Sequence, residues 1–211
     1  MTFAARPLNF DVGDVIGEEA SLAATYYPAR TGAEALGLLV CLPGGTYSRD
    51  YWDLHIPARH GYSFAEFATG NGYAVITIDP LGTAESSQPT RDFGFSDIAA
   101  ALSHAVRALP AVTGIDAPPV AMAHSLGGYL AITQQALFSS FAALIDAPVL
   151  IGYGVVDVSP DPRAEAGLYR RCPDITTLVL ADSAHCHNMA SSRHRLWRRL
   201  LDWAATVTFA S

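Results

Sequence analysis

Charge is scarce in this sequence. Only 16% of its 211 residues are Asp, Glu, Lys or Arg, against 50% hydrophobic residues. That balance excludes a disordered chain, which needs much charge and few apolar groups to stay unfolded. Positive charge is the scarcer sign: 13 basic residues against 20 acidic ones leave a net charge of −7. A general nucleic-acid or anionic-membrane binder needs the opposite sign, so neither partner is expected. No apolar run reaches the roughly 18 residues of a membrane span. The opening Met1-Thr2-Phe3-Ala4-Ala5-Arg6-Pro7 lacks the charged region and long apolar core of a secretory leader. Cysteine is also scarce. Cys41, Cys172 and Cys186 are odd in number and form no metal-binding spacing, which reads as reduced thiols in a cytoplasmic protein. There is no internal repeat and no low-complexity linker. A chain of this length favours one domain, residues 1–211, with a sizeable core.

What is present is an alternation of short apolar runs and helical patterns. Residues 8–15 alternate apolar and polar as a half-buried strand does, and residues 21–28 make a second strand. The run 37–42 is apolar throughout, as in a strand covered on both faces. A helix is expected over 61–70, closed by Gly70-Asn71-Gly72, and then a β-branched strand over 73–78. The next helix is expected from Phe95 to about Leu109, capped by Ser96 or Asp97; His104 on it reads as a surface or packing residue. Further strands are expected at 120–123, 149–153 and 176–180, with helices at 127–138 and 163–171. Arg193 to Val207 is amphipathic, with Leu196, Trp197, Leu200, Leu201 and Ala204 on its apolar stripe. Phe141 to Ile145 looks like another strand, yet Asp146-Ala147-Pro148 is too short for the crossover that parallel neighbours require. Either that run extends the preceding helix and a strand is absent, or a segment has been removed there.

Four motifs punctuate this pattern. Val120-Ala121-Met122-Ala123 runs into His124-Ser125-Leu126-Gly127-Gly128 and then a helix. A strand turning sharply into a helix strains the residue at the turn, and small residues at Ala123 and Gly127 let the two elements pass closely. This resembles the nucleophile elbow G-x-S-x-G of the α/β-hydrolases, with Ala in the first position. Pro43-Gly44-Gly45-Thr46 resembles the glycine-rich loop of that family, with Pro43 where His is frequent. Asp79-Pro80-Leu81-Gly82 through Ser87 is similar to its D-x-x-G-x-G-x-S loop, where Asp79 reads as structural. Gly154-Val155-Val156-Asp157-Val158-Ser159-Pro160 is similar to its acid segment, and His185 follows the last strand as the family's base does.

The resemblance implies an α/β fold with a mostly parallel central sheet flanked by helices, shortened after the nucleophile helix and without a cap domain. It implies a serine hydrolase: Ser125 as nucleophile, Asp157 as acid and His185 as base, in that chain order. Asp146 is the alternative acid and His187 the alternative base. The N–H groups of Gly45 and Leu126 are the expected oxyanion donors, with Thr46 next. Thr46, Tyr47, Trp52 and His124 are candidates for contacting substrate; Tyr51 beside them is another aromatic wall residue. A small carboxylic ester, lactone or thioester is the implied substrate. No cofactor is implied, and His185, His187, Cys186 and Asp182 lack the second cluster that a metal site needs. The competing reading is an inactive or truncated member of the fold that binds a small ligand.

Overall fold

The computed structural model describes residues 5–31, 34–138, 148–169 and 172–208. The chain opens with an antiparallel hairpin, β1 (Arg6–Asp11) and β2 (Ser21–Tyr27), with a short helix α1 (Gly13–Ile16) at its turn. The strand expected over 8–15 therefore stops at Asp11. The Val12 N–H donates back to Ala20 O at 2.9 Å, and α1 closes on Gly17 in the left-handed conformation (φ +84°).

Four further elements build the centre: β3 (Leu38–Leu42), α2 (Phe64–Gly70), β4 (Ala74–Ile78) and α3 (Phe95–Thr113). Every residue of β3 and β4 is buried. Side chains alternate across a strand, so the two faces of β3 feed two cores. Leu38, Val40 and Leu42 join Ala74, Ile76 and Ile78 beneath α3. Leu39 and Cys41 join Val75 on the opposite face, against Phe64, Ala65 and Ala68 of α2. α3 starts at Phe95 as expected but is capped by Gly94 rather than by Ser96 or Asp97, and Asp97 Oδ2 accepts the Gly94 N–H at 2.9 Å. It also runs through Pro110 to Thr113. The proline removes one rung of hydrogen bonds near the helix end, and the Gly114 N–H closes the last turn on Pro110 O.

β5 (Val120–Ala123) leads into α4 (Leu126–Phe138), and these complete a five-stranded sheet in the order β1-β2-β4-β3-β5. β3 is parallel to β4 and β5, whereas β2 is antiparallel to both its neighbours. The sheet is thus mixed, because a hairpin rather than a crossover starts it. The segment 139–147, with Phe141–Ile145 and Asp146, lies outside the described residues.

The rest of the chain is β6 (Val149–Val156), α5 (Pro162–Glu165), β7 (Ile175–Ala184) and α6 (Arg193–Thr208). Among the described residues β6 and β7 pair in parallel with each other and with no other strand. Both outrun their expected bounds, which carries their ends to Asp157 and His185. The helix expected over 163–171 is one α-turn plus a 3₁₀ turn, Ala166–Leu168. α6 packs its stripe on the α2 face: Leu196, Trp197, Leu201 and Ala204 are all buried there. Among the described residues no helix is long and apolar enough to cross a membrane.

Candidate active site

The site lies where β3, β5, β6 and β7 end. Ser125 is the strained residue of the elbow, with φ +51°. The strain is held by backbone packing. A Cβ on Gly127 would sit 2.5 Å from Pro43 O and 2.6 Å from Leu42 O, so only glycine lets α4 start this close to β3. The Gly127 N–H donates to His124 O and the Gly128 N–H to Ser125 O, both at 2.8 Å, closing the turn.

The acid and base arrive from the other pair of strands. The ladder between β6 and β7 shifts register between Gly154 and Val156. There a Cβ on Gly154 would lie 2.5 Å from Ser183 O, so the two strand ends touch through backbone alone. This brings Asp157 Oδ1 within 2.7 Å of His185 Nδ1. A carboxylate only accepts, so Nδ1 carries the proton and Nε2 is left as an acceptor. Ser125 Oγ lies 2.9 Å from that Nε2 and donates to it. Ser125 is exposed to solvent, while the Asp157 side chain is only 4% exposed. Burial opposes the charge on Asp157. The N–H groups of Gly154 (2.8 Å) and Val158 (2.7 Å), together with His185, outweigh burial and hold the carboxyl below its ordinary value.

The glycine loop adjoins the elbow. A Cβ on Gly44 would meet His124 Nδ1 at 2.6 Å, and one on Gly45 would meet Leu126 Cδ2 at 3.4 Å. Neither the Gly45 N–H nor the Leu126 N–H has a partner in the loop and cap network of the described residues. Thr46 follows in the left-handed conformation (φ +69°).

His124 is buried. Its Nε2–H donates to His185 O at 2.8 Å, and its ring stacks on Tyr51 at 4.6 Å. Burial pushes it down to about 4, so it is neutral at pH 7 and its Nδ1 has no partner. His187, the alternative base, points its Nδ1 at Ser183 Oγ (3.0 Å), with Nε2 3.6 Å from Asp157 Oδ2. It faces the acid and not the serine. Burial lowers its pKa as well.

A cavity of about 520 Å³ opens at Ser125. Tyr51, Trp52 and His124 line it; Thr46 and Tyr47 do not. Tyr47 instead sets its hydroxyl 3.2 Å from Cys186 Sγ. Asn188 was not singled out from sequence, although it ties the base loop down. Its Nδ2 donates to Tyr51 O (3.1 Å) and its Oδ1 accepts from Trp197 Nε1 (2.9 Å). Its signal in the sequence is only its place three residues after His185. Tyr153 and Glu165 also line the cavity, joined by a 2.6 Å hydrogen bond from the Tyr153 hydroxyl. Asp79 stands apart, fully buried, accepting the Arg49 N–H at 2.6 Å and paired with the Arg49 guanidinium. Among the described residues no group of three or more His, Cys, Asp or Glu is arranged to hold a metal.

Residues 39–210 match the model of the alpha/beta hydrolase family. The chain belongs to that family. Solved structures share its fold at low identity. A thermophilic esterase from Thermogutta terrifontis, with malate bound, aligns with a TM-score of 0.73 at 13% identity, over 97% of this chain and 100% of that one. Est1E from Butyrivibrio proteoclasticus, with ferulic acid bound, gives 0.68 at 13%, over 91% and 97%. The alpha/beta hydrolase GrgF from Penicillium sp. sh18 gives 0.74 at 12%, over 97% and 99%. No curated protein matches the chain.

Proposed function

We propose that the protein is a serine hydrolase that cleaves a small carboxylic ester through an acyl-enzyme on Ser125. The observation that carries this reading is the continuous relay from Ser125 Oγ through His185 to Asp157. His185 Nε2 takes the Ser125 proton as Oγ bonds to the ester carbonyl carbon. Asp157 fixes the tautomer and offsets the charge on the imidazolium. The Gly45 and Leu126 N–H groups, with the start of α4 behind them, hold the developing oxyanion. Collapse of that intermediate breaks the bond to the leaving alkoxide, which takes the proton from His185. Water then enters by the same route in reverse roles and releases the acid and free Ser125.

The test is the intact mass of the protein after exposure to a fluorophosphonate. One adduct is expected on wild type and none on Ser125→Ala or His185→Ala. A wild-type protein that is folded by circular dichroism yet takes no adduct overturns the reading, and leaves a family member that binds a ligand without turning it over.

A further inference from the structure

Asp157 has more neighbours than a single histidine. Its Oδ1 accepts the Val158 N–H and the His185 Nδ1–H, both at 2.7 Å, and its Oδ2 accepts the Gly154 N–H at 2.8 Å. A carboxylate offers about four acceptor positions, so one on Oδ2 is left over. The side chain is only 4% exposed, which gives bulk water little access to that position. His187 Nε2 lies 3.6 Å from the same oxygen, and the His187 side chain is itself only 13% exposed. That separation is too long for a hydrogen bond but well within electrostatic reach where water is thin.

The other end of the ring decides what Nε2 presents. His187 Nδ1 lies 3.0 Å from Ser183 Oγ, and the same buried hydroxyl lies 3.1 Å from Ala184 O. The hydroxyl has one proton to give. Given to Nδ1, it leaves Nε2 as an N–H beside the carboxylate. Given to Ala184 O, it leaves Nε2 as a bare lone pair beside a negative oxygen, which repels. The first arrangement is the favourable one. Burial keeps the ring neutral, outweighing Asp157 and Ala184 O, which favour its charged form. The titratable groups about it are Asp157 at the end of β6, His185 and Cys186 on its own loop, and His124 of the elbow, edge-on with ring centroids 5.9 Å apart. Tyr51, Tyr153 and Glu165 line the same cavity.

The His185 and His187 rings stand 6.4 Å apart, one at each oxygen of the acid. A lone carboxylate against His185 would hold that ring protonated to higher pH, and a protonated base cannot take the Ser125 proton. An N–H dipole at the second oxygen offsets part of that pull.

We propose that His187 is a positioning residue for the reaction: set against the second oxygen of Asp157, it divides the acid between two histidines and keeps His185 free to act as a base. This rests on the Ser125 hydrolase reading for its catalytic meaning, but the effect on His185 is separable from turnover. The first arm of the test therefore needs no activity. The His185 ring is titrated by NMR in Ser125→Ala protein, alone and combined with His187→Met or His187→Gln. Methionine removes the N–H, and Ser183 keeps Ala184 O as its acceptor. Glutamine returns an N–H near the place of Nε2. His187→Met is expected to raise the His185 midpoint by about half a pH unit, roughly threefold in its ionisation constant, and His187→Gln to restore most of it. A midpoint that is unchanged or lowered in His187→Met overturns the proposal. The second arm follows kcat/KM for p-nitrophenyl acetate against pH with Ser125 intact. The acid limb should move up with the NMR midpoint in His187→Met and return in His187→Gln. A loss of rate with the limb unmoved overturns the proposal, because His187 would then only brace its loop. Should His187→Met fail to fold, Ser183→Ala frees Nδ1 to carry the proton and must move the midpoint in the same direction; no movement overturns the proposal. A midpoint that moves as expected while wild type takes no fluorophosphonate adduct leaves the hold of His187 on His185 standing and removes the hydrolase reading alone.

Discussion

β3 and β6 are almost equally apolar in sequence, Leu-Leu-Val-Cys-Leu against Val-Leu-Ile-Gly-Tyr-Gly-Val-Val, yet they are buried very differently. β3 has a parallel neighbour on each side and helices over each face, and all of it is buried. Among the described residues β6 has one neighbour, and only Val149, Tyr153 and Gly154 of it are buried, while Val155 and Val156 are 61% and 72% exposed. Hydrophobicity makes a segment able to be central in a sheet; the neighbours decide whether it is. The difference divides the site. Ser125, Gly45 and Leu126 stand on the fully packed sheet, Asp157 and His185 on the sparsely packed pair. Across the seam Ser125 meets His185, His124 meets His185 O, Tyr47 meets Cys186 and Tyr51 meets Asn188.

The strongest test of that seam is to keep the geometry and remove its charge. Asp157→Asn is expected to lower kcat/KM on an activated ester by roughly 10⁴, because the wrong His185 tautomer is then favoured. Fluorophosphonate labelling should slow in parallel. A loss below tenfold would mean that Asp157 is not the acid. The packing contrast is tested next by matched truncations read in urea. Leu102→Ala, at a fully buried position of α3, is expected to cost about 2–5 kcal/mol, the range for such cavities. Leu150→Ala on β6 should cost less than about 1 kcal/mol, since Leu150 is only half-buried. Equal costs would show that the two regions are packed alike in solution.

The same contrast explains what the sequence could reveal. The elbow is legible because its chemistry is local: a strand, a strained Ser125 and a Gly127 that nothing else can replace are consecutive in the chain. β3 and β4 are legible because unbroken apolar runs occur where both faces are covered. Asp157 and His185 could be named from the resemblance, but their meeting depends on the register shift at Gly154 and on long-range pairing of β6 with β7, which no local pattern encodes. The burial of His124 and the anchoring of Asn188 are likewise set by partners far along the chain, Tyr51 and His185 for one, Tyr51 and Trp197 for the other. α3 outruns its expected end near Leu109 because the Gly114 N–H closes a last turn on Pro110 O.

Gly154→Val tests whether the sparse pair can fail alone. Its added carbons would strike Ser183 O and Ala184 O, which are backbone and cannot swing aside. The ends of β6 and β7 should then part, and Asp157 with them. Esterase kcat/KM is expected to fall roughly 10²-fold, as for small misplacements of reacting groups. Hydrogen exchange of β3 and β4 amides should stay unchanged while that of β6 and β7 speeds up. Faster exchange throughout would mean that the two regions unfold as one.

The remaining effect is on pH-dependent stability at the seam, through His124. Its folded pKa of about 4 lies below the ordinary histidine value of about 6.5, so the unfolded chain binds this proton first. Between those two values the unfolded state holds more protons than the folded one, and stability must fall as the pH is lowered. The contribution is whole above about pH 6.5 and is lost through the window down to about pH 4, by an amount on the order of 3 kcal/mol. His124→Gln removes the titration and keeps a side-chain donor in reach of His185 O. It should therefore flatten the fall in urea midpoint over that window, relative to wild type, even if the variant starts from a lower midpoint. A slope identical to wild type would mean that His124 titrates as freely in the fold as in the unfolded chain, and that the joint between the two sheets is open to water.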